Sequence, residues 1–483
     1  MNLDNHEVSE LKLVQDALAH IRKESLDLFN RVHSIEEDVA FVRQVCAAYP
    51  DLPVIPNLRC GAWYVDPALA SQHAAYFKST DGHFGNWSFN LRRPNLHLLP
   101  VVIGSGGFIL IDSTRAGKRI PDALSKTVPV WCAVVNRAVQ IKYHRDASWN
   151  LELYCPPGVV SQQEKSQIEA KLDGWAESLA SSSYELPELT KPLRPLWITP
   201  LTSGFPNLTP SSERHFYPVV CISASKQIQE GVERRSNGFC YVQGSGDDHE
   251  LWGMGLSPQL FWQHRESILE SDRSTLESLV ASIVSQSTQS SRKEDWDMIP
   301  TPVSRVGGLL RIGTLSQLPM ALPPRVPDST VDAAYVLILP TASEDHSHTV
   351  QGTRDQQNNV LKLSMPEGKK GQSIFLQTVL PQSIPFIASR LSEGRQICIC
   401  CNDGKDASVG LALTAIQMFF DDEGQLVHPL RDLRSSATKQ SIATRLQWII
   451  ASRPEANPSR ATLKRVNEFL LSPPTFWSHP RPS

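Results

Sequence analysis

The segment Ile397, Cys398, Ile399, Cys400, Cys401 runs through Asn402, Asp403, Gly404, Lys405 and Asp406 into Ala407, Ser408 and the apolar stretch Val409 to Ile416. This is a short apolar run, a polar Gly-containing loop and a helix start. Such a unit forces an α/β arrangement, because the strand is apolar on both faces and needs a cover on each. The same geometry aims backbone N–H groups and a helix dipole at one point, which makes the loop a candidate anion site. At 483 residues, 41% of them hydrophobic, the chain exceeds one ordinary core, so two α/β domains are expected.

The period of the remaining chain fills in those domains. Leu11, Val14, Leu18, Ile21, Leu28, Val32 and Ile35 recur every three or four residues, so Ser9 to Ala48 reads as helical. Leu96 to Ile103 and Phe108 to Ile111 read as β runs joined by Gly104 to Gly107, and a helix is expected near Pro121. Val219 to Ile222 and Phe239 to Val242 read as strands. The second leads into Gly244 to Glu250 and an apolar helix through Trp252, Leu256, Leu260 and Trp262. Ser/Gln-rich and Pro-rich stretches place a linker at 286–329, between an N-terminal α/β domain with leading helices (1–285) and a second α/β domain (330–483) carrying the loop 401–408. In that second domain a strand at Tyr335 to Leu339 and helices near Ser383 to Leu391, Ser435 to Ser452 and Ala461 to Leu470 are expected.

Composition narrows the function classes. A net charge of −3 leaves any nucleic-acid binding to local patches. Nine irregularly spaced cysteines fit reduced thiols, and Cys398 to Cys401 lacks the second pair a zinc site needs. No basic apolar leader and no membrane-length apolar run is read, so the expectation is a soluble protein of the cytoplasm or nucleus, monomeric, with no membrane partner. Neither a Walker A sequence nor a GxGxxG fingerprint is present.

Three motifs carry candidate chemistry. Cysteine phosphatases place Gly three residues, Arg six residues and Ser seven residues after their Cys. The loop resembles theirs at Cys401, Gly404 and Ser408, but Ala407 holds the Arg position and cannot grip a phosphate. Lys405 offers a point charge instead, and thiol hydrolysis is disfavoured. Asp112 to Arg119 follows a strand with the cations Arg115, Lys118 and Arg119, and the basic run continues through Lys126, Arg137, Lys142 and Arg145 against only Asp122 and Asp146. Asp247, Asp248, His249 and Glu250 form an acidic cluster at another strand end, open to two readings: helix cap, or Mg²⁺ ligands (Asp247, Asp248) and general base. Cations on the C-terminal helices, from Arg431 and Arg434 to Arg460 and Lys464, read as a solvated face or an RNA-backbone surface.

Ordered blocks along the whole chain resemble the fungal and plant initiator tRNA phosphoribosyl transferases. They are Asn57 to Tyr64, Tyr76 to His83, Arg92 to Leu99, Asp112 to Arg137, Tyr241 to Trp262, Cys401 to Ser408 and Asn457 to Leu463. The resemblance implies transfer of a 5-phosphoribosyl group from 5-phosphoribosyl 1-pyrophosphate, with Mg²⁺, to the 2′-hydroxyl of adenosine 64 of initiator methionine tRNA. It also implies a C-terminal domain like a dual-specificity phosphatase. On that reading Cys401, Asn402, Gly404 and Ser408 cradle the donor phosphate, and Asp403, Lys405 and Asp406 are catalytic. Lys78, Arg115, Lys118 and Arg119 hold pyrophosphate or the tRNA backbone, and Arg137, Lys142, Arg460 and Lys464 contact tRNA. The alternatives are a phosphatase-like binding module without chemistry and a divergent cysteine phosphatase.

Overall fold

The computed structural model describes residues 15–16, 18–58, 60–115, 117–143, 149–229, 232–289, 298–341, 353–354, 359–427 and 434–472. The sequence expectations for Leu11 and Val14, for Arg145 and for Arg431 lie outside these residues. Two compact units are present: Met1–Ser181 with Glu185–Thr288, and Ser182–Tyr184 with Gln289–Ser483.

The first unit is built on four parallel strands, β1 (Val54–Pro56), β2 (Phe108–Asp112), β3 (Leu193–Ile198) and β4 (Tyr217–Ser223), in the order β1-β2-β4-β3. Every residue of β2 and β4 is buried, as the central strands of a covered parallel sheet require. Helix α1 (Leu28–Ala48) starts where Asp27 accepts a hydrogen bond from Asn30 N, and buries Val32, Ile35, Val39 and Val42 in one stripe. That stripe packs with Trp63, Val220, Ile222, Trp252 and Phe261 in a single core. Helix α2 (Val128–Tyr143), entered through one π-helical turn at Ala123–Thr127, packs on β3 and on α3 (Gln162–Ala180). A short hairpin, β5 (Val232–Arg234) and β6 (Cys240–Val242), completes the unit.

Two expectations fail here. Leu96 to Ile103 is helical: a 3₁₀ turn at Leu96–Leu98 leads into a helix at Leu99–Ser105 with Pro100 in its first turn. Leu98, Leu99 and Val102 are buried at helical spacing, so the apolar run satisfied both periods and the proline decided. The helix expected through Trp252 to Trp262 shrinks to Pro258–Gln263. Met254 and Gly255 have φ of 51° and 89°, which no α-helix accommodates.

The second unit has six strands in the order β10-β11-β9-β12-β8-β7. They are β7 (Thr301–Pro302), β8 (Leu310–Thr314), β9 (Ala333–Pro340), β10 (Thr353–Arg354), β11 (Val360–Met365) and β12 (Gln396–Cys401). The inner four are parallel, and β7 and β10 close the edges antiparallel. β7 and β8 lie within the stretch read as linker, so residues 301–314 belong to this sheet. Around it lie α4 (Leu380–Ser392), α5 (Ala407–Phe419), buried along its whole length, α6 (Lys439–Ser452) and α7 (Arg460–Leu471). All nine cysteines are free thiols. Among the described residues no helix is long and apolar enough to cross a membrane.

Candidate active site

The carboxyl ends of β1, β2 and β4 meet at one edge of the first sheet, where parallel α/β sheets form their crevices. Asn57, just past β1, donates to Phe77 O and to Asp112 Oδ2, each at 2.8 Å, and accepts from Phe77 N. Cys60 Sγ and Ser113 N both donate to Asp112 Oδ1, at 2.8 and 2.9 Å. Asp112 therefore ties the 57–64, 76–83 and 112–119 segments together. Burial pushes its carboxyl up to about 6, against the opposing hydrogen bonds from Cys60 and Asn57.

A second buried hub joins the remaining loop. Ser225 Oγ lies 2.6 Å from Ser113 Oγ, donates to Asp38 Oδ2 at 2.6 Å and accepts from Gly244 N at 3.2 Å. Tyr241 OH donates to Asp38 Oδ1 at 2.7 Å. Burial raises the Asp38 carboxyl to about 8, so it holds its proton at neutral pH. Gly244 has φ +70°, and a Cβ there would stand 2.5 Å from Thr114 O. The 244–250 loop thus lies directly on the 112–119 loop. Gly246 N donates to Tyr64 OH at 2.8 Å, and Trp63 packs against His249 and Trp252. Arg31, from α1, donates to Gly244 O and Ser245 O and stacks over Trp252, within electrostatic reach of Asp247 and Asp248.

The rim of this edge carries the charge. Arg115, Lys118, Arg119, Lys78 and Glu250 are exposed, and Asp247, Asp248 and His249 are half-buried. Lys118 Nζ pairs with Asp122 at 2.5 Å, and the Arg119 guanidinium lies 3.4 Å from Thr199 Oγ1. Thr127 Oγ1 donates to Lys78 O at 3.0 Å, which fixes the Lys78 backbone beside this rim. Asp248 holds φ 47°, an unusual conformation for a residue with a side chain, and heads a 3₁₀ turn rather than the expected α-helix. Arg31, Asp38 and Ser225 had no signal of their own in the sequence: two sit in an ordinary amphipathic helix and one in a loop, whereas Asn57 opens one of the blocks that carry the family resemblance.

The Cys401 loop, in the second unit, has a different character. Asp403 Oδ1 accepts from Lys405 N at 2.9 Å, from Asp406 N at 3.3 Å and from Cys401 Sγ at 3.1 Å. Its carboxylate takes N–H groups that a bound phosphate would use. Burial first, and then the neighbouring Asp403, raise the Cys401 thiol, which Ser408 N and Oγ also contact. Asp406 accepts from Ser459 N at 2.8 Å, and Asn402 donates to Glu367 at 2.8 Å. A cavity of ≈ 220 Å³ above the loop is lined by Glu367, Asp403 and Asp406 and, among the described residues, by no cation. The guanidinium nearest the loop, Arg453, is buried and faces its back, donating to Gly404 O at 3.0 Å and Thr301 Oγ1 at 2.7 Å. The raised thiol and the self-bonded loop disfavour both thiol hydrolysis and the expected donor cradle. Of the residues expected to be catalytic here, Asp403 and Asp406 are engaged within the fold, and Lys405 is half-buried beside them.

Two known domain families match the chain: the Rit1 N-terminal domain over residues 21–285 and the Rit1 DUSP-like domain over residues 359–470. This chain belongs to the Rit1 family. An uncharacterized protein of Schizosaccharomyces pombe is 37% identical to the Rit1-family chain over 480 residues, covering 95% of this chain and 98% of that protein. The tRNA A64-2′-O-ribosylphosphate transferase of Saccharomyces cerevisiae is 32% identical over 486 residues, 93% of each. Among solved structures, the Yvh1 phosphatase domain of Chaetomium thermophilum aligns with 28% of this chain and 77% of its own, at 19% identity and a TM-score of 0.19.

Other expected contact residues of the Rit1-family chain divide by environment. Arg137 is bound to Asp173 at 2.6 Å and to Leu151 O, and Lys126 is buried between Asp122 and Glu164. The acids that neutralise this basic run come mostly from α3, far along the sequence. Lys142 is exposed beside the Tyr143 ring, and Arg460 and Lys464 are exposed one turn apart on α7. Among the described residues no group of three His, Cys, Asp or Glu side chains is gathered to hold a metal. The two acids expected to hold Mg²⁺, Asp247 and Asp248, stand half-buried at the rim.

Proposed function

We propose that this protein is a tRNA-modifying pentosyltransferase. It moves a 5-phosphoribosyl group from 5-phosphoribosyl 1-pyrophosphate to the 2′-hydroxyl of adenosine 64 of initiator methionine tRNA. The observation that carries the reading is the convergence of the 57–64, 76–83, 112–119 and 244–250 segments on one sheet edge, in a chain related along 93% of its length to a named A64 transferase. We assign the donor to that edge rather than to the Cys401 loop, whose N–H groups Asp403 already occupies.

In the reaction the 2′-oxygen bonds to C1 of the donor ribose while the bond from C1 to pyrophosphate breaks. Arg115, Lys118 and Arg119 take up charge on the departing pyrophosphate. Mg²⁺, held by Asp247 and the diphosphate, would neutralise further charge there. His249 accepts the 2′-hydroxyl proton, a role worth about 10²–10⁴-fold. Asp112 and the protonated Asp38 position the loops without touching substrate. The test is incubation of the protein with ribose-labelled donor, Mg²⁺ and initiator tRNA. Label should enter the tRNA, and its absence from the tRNA would sink the reading.

A further inference from the structure

The opposite edge of the first sheet, where β3 and β4 begin, opens into a cavity of ≈ 650 Å³. Its walls include the aromatic residues Trp149, Tyr154 and Phe216 and the cations Lys191, Arg194 and Arg214. The Arg194 guanidinium lies over two rings, 4.1 Å from the Tyr154 centroid and 5.1 Å from that of Phe216. Arg214 is tethered to backbone, donating to Thr209 O at 2.6 Å and Gly106 O at 3.1 Å, and Lys191 donates to Ser211 O at 2.8 Å. Several cations elsewhere in this unit are matched: Arg93 by Asp81, Lys126 by Asp122, Lys165 by Glu152, Arg265 by Glu36. Among the described residues, none of the three pocket cations has a carboxylate within ion-pair distance. Among the described residues that line it, the one acid, Glu213, is exposed, and Glu152, which feels the Arg194 charge, is bound to Lys165 at 2.6 Å.

Positive charge fixed by carbonyls and interleaved with aromatic faces matches a ligand that is both anionic and planar. We propose that this pocket is an RNA-contact site that takes a phosphate and an adjoining base of the tRNA substrate. The proposal rests on the transferase reading above for the identity of that RNA. β3 separates the two edges by its six residues, roughly 20 Å, so the pocket would grip the RNA away from the reacting adenosine.

The experiment uses the full chain and an initiator tRNA transcript, with binding measured by fluorescence anisotropy across a salt series and transfer measured in parallel. Lys191→Gln/Arg214→Gln should weaken tRNA binding about tenfold and lower the slope of log K against log salt by about 2. The loss should appear in the KM for tRNA and not in that for the donor. Lys191→Arg alone should keep the wild-type slope, and Trp149→Ala, which removes no charge, should weaken binding at an unchanged slope. Unchanged affinity and slope in the double variant would overturn the proposal, as would binding of free AMP in the pocket with no effect on tRNA. If the wild type transfers no label but the double variant still loses tRNA affinity, the transferase reading fails and the RNA pocket stands.

Discussion

Asp38 gives the most quantitative prediction. Its carboxyl is buried, bonded to Ser225 and Tyr241, and raised to about 8, whereas in the unfolded chain it titrates near 3.8. Between those values the fold holds a proton that the unfolded chain has released. Stability contributed in this way is complete below about pH 4, declines as pH rises and is gone above about pH 8. One proton of difference corresponds to about 1.4 kcal/mol per pH unit. From pH 5 to pH 7 the wild type should therefore lose about 3 kcal/mol through this group. Asp38→Asn keeps an acceptor and a donor in place and cannot titrate, so its stability should lack that component. Urea titration at pH 5, 6 and 7, followed by tryptophan fluorescence, measures both proteins. With m near 3 kcal/mol per molar, the wild-type midpoint should fall about 1 M more than the variant's. Parallel profiles would refute the assignment of a protonated Asp38 at the hub joining the two site loops.

Three further outcomes are expected. Gly244→Ala places a Cβ 2.5 Å from Thr114 O at φ +70°, costing about 1–3 kcal/mol in backbone strain, and should reduce transfer far more than it reduces the melting temperature. Arg453→Ala removes the buried donor to Gly404 O, Ile312 O and Thr301 Oγ1 and should destabilise the second unit by about 3 kcal/mol in thermal melts, with partial recovery in Arg453→Lys. Asp403→Ala releases the N–H groups of Lys405 and Asp406, so sulfate binding at the loop, read by calorimetry, should rise above that of the wild type.

The sequence made the strand–loop–helix around Cys401 legible because its three parts differ sharply in polarity. β12 and α5 fall where the apolar runs lie. β8 escaped notice because Arg311 interrupts its apolar run. In the fold that guanidinium is buried, paired with Asp328 at 2.8 Å and donating to Pro300 O, so a charged residue sits inside a central sheet. The linker reading followed from the Ser/Gln-rich stretch before it and from the prolines beyond it. The individual motifs at Asp112 and Gly244 were visible as polar clusters after strands. Their meeting was not, because it depends on the strand order β1-β2-β4-β3 and on Asp38 and Ser225, which no local pattern distinguishes. The loop at Cys401 resembled a phosphate cradle by spacing, yet spacing alone does not tell whether the carboxylate two residues on turns inward.

The central claim, that transfer occurs at the edge of the first sheet and not at the Cys401 loop, is tested by single-turnover label transfer to initiator tRNA with two variants. Asp247→Asn should lose at least about 100-fold in rate with tRNA binding retained. Cys401→Ser should transfer within about threefold of the wild type. The reverse pattern, with Cys401→Ser inactive and Asp247→Asn active, would contradict the account.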